Sequence, residues 1–132
     1  MIPLAKFALE LLDLMMIYKL IAQVEYHRRQ YDRALEVCHL IIYMCSLKEI
    51  LANIRLEALK LAGLCRMRLQ QYDEAIEQWK LCFEHALRTK DDLTEVVVYE
   101  QMSYCYFYLG DLKQAEYFNT RYRMGVLEEE DS

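Results

Sequence analysis

The chain has 132 residues, with 16 Lys and Arg against 21 Asp and Glu for a net charge of −5, and contains only three Gly and one Pro. Gly and Pro together make up about 3% of the chain, where an average domain has roughly 12%, which is too few turn residues for a β-sandwich or small barrel. Gly63, Gly110 and Gly125 lie too far apart to form a phosphate-cradling loop, and a hydrophobic content of 55% excludes disorder.

Hydrophobic periodicity divides the chain into six helices. The first spans about Pro3 to Arg28, with Pro3 where a first helical turn tolerates it. Lys6, Glu10, Asp13 and Lys19 interrupt its apolar stretch, which argues against membrane insertion. No small-residue cleavage site follows, so it does not read as a secretory signal. Phe7, Leu11, Leu12, Leu14, Met15, Met16, Ile17 and Tyr18 cover nearly its whole circumference. An end helix exposed to water should be polar outside. Two explanations stand: upstream repeats of a longer chain, or an oligomer or partner interface on Phe7, Leu11 and Met15.

The second helix, about Asp32 to Cys45, gathers Ala34, Cys38, Ile41, Ile42 and Cys45 on one face. The third, about Leu47 to Leu69, opens with capping-box spacing in Ser46-Leu47-Lys48-Glu49 and carries Gly63 in mid-helix. Gly costs roughly 1 kcal/mol there relative to Ala, so a close helix crossing explains it best. The fourth, about Asp73 to Arg88, repeats the second helix's face as Ala75, Trp79, Cys82, Phe83 and Ala86. The fifth, about Leu93 to Leu109, opens at Asp92-Leu93-Thr94-Glu95. In the sixth, about Leu112 to Arg123, the same offsets give Ala115, Asn119, Tyr122, Arg123 and Val126, a polar end face suited to the terminus of an array. Gly125 is expected to stop this helix. Glu128, Glu129, Glu130 and Asp131 supply −4 of the charge and leave −1 for residues 1–127. Residues 128–132 are therefore expected to form a solvated acidic tail on a near-neutral body, and a body without a basic stripe argues against nucleic-acid binding.

These helices form a repeat. Gln30-Tyr31-Asp32-Arg33-Ala34, Gln71-Tyr72-Asp73-Glu74-Ala75 and Gly110-Asp111-Leu112-Lys113-Gln114-Ala115 align with spacings of 41 and 40 residues. Twelve residues before each alanine stands a small residue: Ala22, Gly63 and Ser103. The units run over about 8–46, 47–92 and 93–126 of a domain covering 1–127.

The residues Gly63, Tyr72, Ala75 and Trp79, and Tyr106, Gly110, Asp111 and Ala115, resemble the tetratricopeptide repeat (TPR) in its longer, about 40-residue form, known from spindle-orientation adaptors and kinesin light chains. The Tyr104-Cys105-Tyr106-Phe107-Tyr108 run is also similar to terminal repeats of some ciliary or protist proteins. The resemblance implies an all-α helical-hairpin solenoid of three helix pairs in a right-handed superhelix. It further implies a non-enzymatic, cytoplasmic scaffold with a cytoskeletal or ciliary association, binding a peptide or helix of another protein in a concave groove. On that pattern the groove is lined by Lys19, Gln23, Tyr26 and His27, by Lys60, Leu64, Met67 and Arg68, and by Glu100, Gln101, Tyr104, Phe107 and Tyr108. The carboxylate clamp of chaperone-binding repeats is not reproduced: Lys19 matches and Gln23 could replace Asn, but Leu61, Val97 and Gln101 stand at the other positions. The alternative is a structural subunit that docks through the apolar first helix.

No catalytic, cofactor or metal site is expected. Cys38, Cys45, Cys65, Cys82 and Cys105 are odd in number, lack a CxxC pair and fall within apolar helical patterns, as reduced core thiols of an intracellular protein do. His27, His39 and His85 stand on different helices; Cys82 and His85 have ligand spacing but no second pair to join.

Overall fold

A computed structural model of the chain describes residues 4–46 and 48–131, and the side chains of 6–46 and 48–128. Pro3, Leu47 and the side chains of Glu129, Glu130 and Asp131 lie outside that description, as does Ser132. The described chain forms six α-helices: α1 (Leu4–His27), α2 (Tyr31–Cys45), α3 (Ala52–Arg68), α4 (Tyr72–Thr89), α5 (Asp92–Tyr108) and α6 (Leu112–Asp131), with a 3₁₀ turn at Glu49–Leu51 leading into α3. They gather into two compact units, Met1–Leu69 with α1, α2 and α3, and Gln70–Ser132 with α4, α5 and α6. In the first unit α2 packs on both α1 and α3; in the second α5 packs on both α4 and α6. The division falls in the turn after α3, inside the second expected helix pair.

The turns follow the repeat. Arg29 (φ 63°), Gln70 (φ 60°) and Gly110 (φ 83°) adopt left-handed backbone, each at the end of the first helix of a pair. At two of these ends the bonding is the same. Arg29 N–H donates to Tyr26 and Gln30 N–H to Glu25, at 3.0 and 2.9 Å; Gly110 N–H donates to Phe107 and Asp111 N–H to Tyr106, again at 3.0 and 2.9 Å. This is the Schellman closure, which satisfies the last helical carbonyls and reverses the chain. Only the third unit has Gly at that position, where a Cβ would meet nothing within 4 Å; Arg29 and Gln70 carry the backbone strain.

Caps shift from expectation by a residue or more. Asp91, rather than Asp92, caps α5: it accepts from Thr94 N–H at 3.1 Å and from the Thr94 hydroxyl at 2.6 Å. Asp111 caps α6 through Gln114 N–H at 3.2 Å, whereas Asp32 and Asp73 lie inside the first turns of α2 and α4, favourably placed for the helix dipole. Ser46 does not open a helix; its hydroxyl donates to the Tyr43 carbonyl at 2.7 Å, beyond the end of α2.

The first unit's core has two clusters. Met15, Ile41, Cys45, Leu51, Ile54 and Ala58 form one; Ala22, Ala34, Leu35, Cys38, Ala62 and Cys65 form the other. Small side chains on three helices let the backbones approach closely, and the thiols fill the remaining volume. In the second unit Ala75, Trp79, Cys82 and Ala86 are buried on α4, and Val98, Met102 and Cys105 on α5. An aromatic series links its helices: Phe83 to Tyr99 at 5.7 Å, Tyr99 to Phe118 at 6.3 Å, and Phe118 stacked on Tyr106 at 5.5 Å. Gly63 is buried within α3, as a mid-helix glycine without bulk allows.

Gly125 does not end the last helix. α6 continues through it to Asp131, so the backbone of the acidic run is helical rather than a loose tail. An added Cβ on Gly125 would lie 2.6 Å from Val96 Cγ2, so this glycine permits the close approach of α6 to α5.

Two outcomes are expected from thermal melts. Gly110→Ala should destabilise the chain by about 1 kcal/mol, a Tm loss of ~4 °C, while Arg29→Gly should shift it the opposite way; equal signs would refute the turn argument. Gly125→Ala should lower stability in the native chain yet raise it by roughly 1 kcal/mol, the helix-propensity gain, once Val96→Ala has removed the clash.

Candidate functional site

All five cysteines are buried, and none is in a disulfide. Burial pushes the Cys38 and Cys105 thiols up to about 12 and the Cys65 thiol up to about 11. A nucleophilic or metal-binding cysteine needs the opposite shift. His27, His39 and His85 stand on α1, α2 and α4. His39 Nε2 lies 3.3 Å from Arg66 Nη2 of α3, and burial, then the Arg66 charge, hold its pKa below the ordinary imidazole value. Cys82 and His85 are both buried on α4. Among the described residues, no three His, Cys, Asp or Glu side chains converge in a metal-binding group.

The first unit supplies eight of the expected groove residues. Lys19, Gln23, Tyr26, Lys60, Leu64 and Met67 are half-buried, and His27 and Arg68 are exposed. The structure joins two of them across 42 residues: Arg68 Nε donates to the Tyr26 hydroxyl at 3.3 Å, linking the C-terminal ends of α3 and α1. That bond favours the charged guanidinium. Tyr26 also makes edge-on contacts at 5.5 Å with His27 and with Tyr31. Lys60 is engaged by Glu57 on its own helix at 3.1 Å.

In the second unit Tyr104, Phe107 and Tyr108 come together on the wall of an open cleft between α5 and α6, about 470 Å³ in volume. Ser103 completes the α5 wall, and Leu112, Ala115, Glu116 and Asn119 form the α6 wall. Tyr104, Phe107, Tyr108 and Leu112 are all largely exposed. Tyr108 is steadied by stacking on Tyr72 at 5.1 Å and 12°, and by an edge-on contact with Phe107. Glu100 and Gln101 do not line the cleft. They bond to each other at 3.2 Å, and the Tyr122 hydroxyl bonds to Glu100, which raises the Tyr122 pKa. The α6 wall was not expected from the sequence. Its signal was Leu112, an apolar residue directly after the Asp111 cap, and Asn119, the break in the apolar face.

The three residues expected to form a docking face on α1 are not equally open. Met15 is only 1% exposed and belongs to the core with Ile41 and Ile54. Leu11 is half-buried against that cluster, and of the three only Phe7 is exposed. The open face of α1 instead carries Leu14, Ile17, Leu20, Ile21 and Val24, the last four bordering a shallow depression of about 330 Å³ with Glu25. The reason is rotational: a helix apolar on all sides buries whichever stripe meets its neighbours, and α2 and α3 meet the Met15 side. Among the described residues no helix is long and apolar enough to cross a membrane.

No protein-family model matches the chain, and no curated protein matches it significantly. Its structure is similar to the crystal structure of the TPR domain of Arabidopsis FLU. The TM-score is 0.77 at 20% sequence identity, with 89% of this chain and 96% of that domain covered.

The buried thiols have a measurable consequence. The folded pKa values of Cys38, Cys65 and Cys105 lie above the ordinary cysteine value, so their contribution to stability is present below about pH 8.5 and is lost as pH rises towards 11–12. Between pH 8 and 11 the Tm of the native chain should fall more steeply than that of Cys38→Ala or Cys105→Ala; parallel slopes would contradict it.

Proposed function

From the TPR fold of this chain, we propose that it is a non-enzymatic scaffold for protein–protein interaction, and that its principal contact surface is the α5–α6 cleft. The observation that carries this is the convergence of Tyr104, Phe107, Tyr108 and Leu112, exposed and contiguous, around a cavity whose α6 wall adds Glu116 and Asn119. Rigid aromatic side chains give large contact area at low entropy cost. A cleft of this size takes one or two apolar side chains of a partner segment. Glu116 and the faces of Tyr104 and Tyr108 suit an adjacent Lys or Arg, through ion pairing and cation–π attraction. In the first unit, the Tyr26–Arg68 pair supports a second contact of the opposite charge. Five cysteines outside any disulfide support a reducing compartment such as the cytoplasm.

Selection of peptides from a random displayed library on the intact chain tests this reading. Selected peptides should carry an aromatic or aliphatic anchor beside a basic residue. Tyr104→Ala with Phe107→Ala should weaken their binding by at least about tenfold without changing the far-UV spectrum, and Glu116→Lys should reverse the preference for the basic neighbour. Peptides that bind the double variant as well as the native chain would place the contact surface elsewhere.

A further inference from the structure

The helices that open the second and third repeats bury a common stripe. On the α3 segment it is Leu51, Ile54, Ala58, Ala62 and Cys65, packed in clusters with Ile41, Cys45, Ala34, Leu35 and Cys38 of α2. Forty residues on, Val98, Met102 and Cys105 of α5 are buried at the positions of Ala58, Ala62 and Cys65. Forty-one residues back, the stripe reads Glu10, Asp13, Ile17, Ile21 and Val24 on α1. There Ile17, Ile21 and Val24 are 54%, 43% and 55% exposed.

The two acidic residues decide which occupant fits. A helix pair stacked on α1 as α2 is stacked on α3 would bring Glu10 and Asp13 to the sites of Leu51 and Ile54. It would bury two carboxylates among apolar side chains, a costly desolvation. The exposed face has a second periodicity, however. Phe7, Glu10, Leu14, Ile17, Ile21, Val24 and Arg28 alternate three and four residues apart, the spacing of a coiled-coil seam. In an antiparallel pair centred between Ile17 and Ile21, Ile17 of each copy meets Ile21 of the other and Leu14 meets Val24. Glu10 then meets Arg28, and Asp13 comes beside His27. Four apolar layers are closed at both ends by opposite charges. Arg28 is mostly exposed and pairs with Glu25 on its own helix at 3.3 Å, an exposed contact that a partner carboxylate can replace. Leu14, also 43% exposed, continues the open apolar stripe.

We infer that α1 pairs antiparallel with α1 of a second copy of this chain, through Leu14, Ile17, Ile21 and Val24, with Glu10 of each copy against Arg28 of the other. This interface is separate from the α5–α6 cleft, and its failure would leave the cleft reading intact.

Sedimentation equilibrium of the full chain should show a concentration-dependent dimer. Ile17→Glu with Ile21→Glu should give a monomer with unchanged helical signal, since both positions are open. Glu10→Arg alone, or Arg28→Glu alone, should raise the dimer dissociation constant about tenfold; the two together should restore it. Leu14→Cys chains mixed with Val24→Cys chains should oxidise to a cross-linked pair, while neither variant cross-links alone. That arm holds even if the glutamate variant fails to fold. A native chain that stays monomeric into the submillimolar range would overturn the inference and leave the face to a different protein. A dimer that tolerates Ile17→Glu with Ile21→Glu, or a charge exchange that does not restore association, would overturn the proposed surface or its antiparallel register.

Discussion

Ala34 is fully buried in one cluster with Ala22 of α1 and with Ala62 and Cys65 of α3. This seam of small side chains governs the first unit. It brings three helix backbones close enough for dispersion contacts to accumulate, and it leaves room only for thiols and single aliphatic groups between them. The chemistry of the cysteines follows from that crowding. They are placed as volume, and burial raises their pKa values so far that the thiolate is suppressed. The same packing demands that the chain reverse sharply after each first helix, which the left-handed residues Arg29, Gln70 and Gly110 accomplish at repeat spacing.

The outward faces of α6 and α1 differ in chemistry. On α6 the positions that match the apolar faces of α2 and α4 include half-buried Asn119 and exposed Arg123. On α1 the corresponding stripe is aliphatic and open over Ile17, Ile21 and Val24 and acidic over Glu10 and Asp13. Carboxylates beside an aliphatic stripe are costly to bury without a positive charge opposite them.

The tyrosines divide in a way that separates structure from function. Tyr99 and Tyr106 are committed to the aromatic series that holds the second unit's helices. Tyr104 and Tyr108 stand on the other side of α5 and edge an open cleft. Nearby positions on one helix therefore face either the helix-packing side or the open cleft, because a helix turns its side chains through all directions within four residues.

Read by itself, the sequence determined the all-α class, six helices, the 41- and 40-residue repeat and the buried faces of α2 and α4. Each of these rests on local regularities: spacing of apolar residues at three and four, scarcity of Gly and Pro, and small residues at fixed offsets. Tertiary structure decided the rest. Met15 and Ile17 are equally apolar, yet one is core and the other surface, because only the positions of α2 and α3 specify which side of α1 is covered. Gly125 reads locally as a stop, yet α6 runs through it, and the lack of a side chain there serves the close approach of Val96 on α5. Glu100 and Gln101 share a helix face with Tyr104 in sequence register, yet they turn to each other and to Tyr122 while α6 builds the opposite wall of the cleft. Periodicity is a property of neighbours along the chain, whereas exposure depends on helices that arrive from elsewhere in it, and a binding surface consists of what those helices leave uncovered.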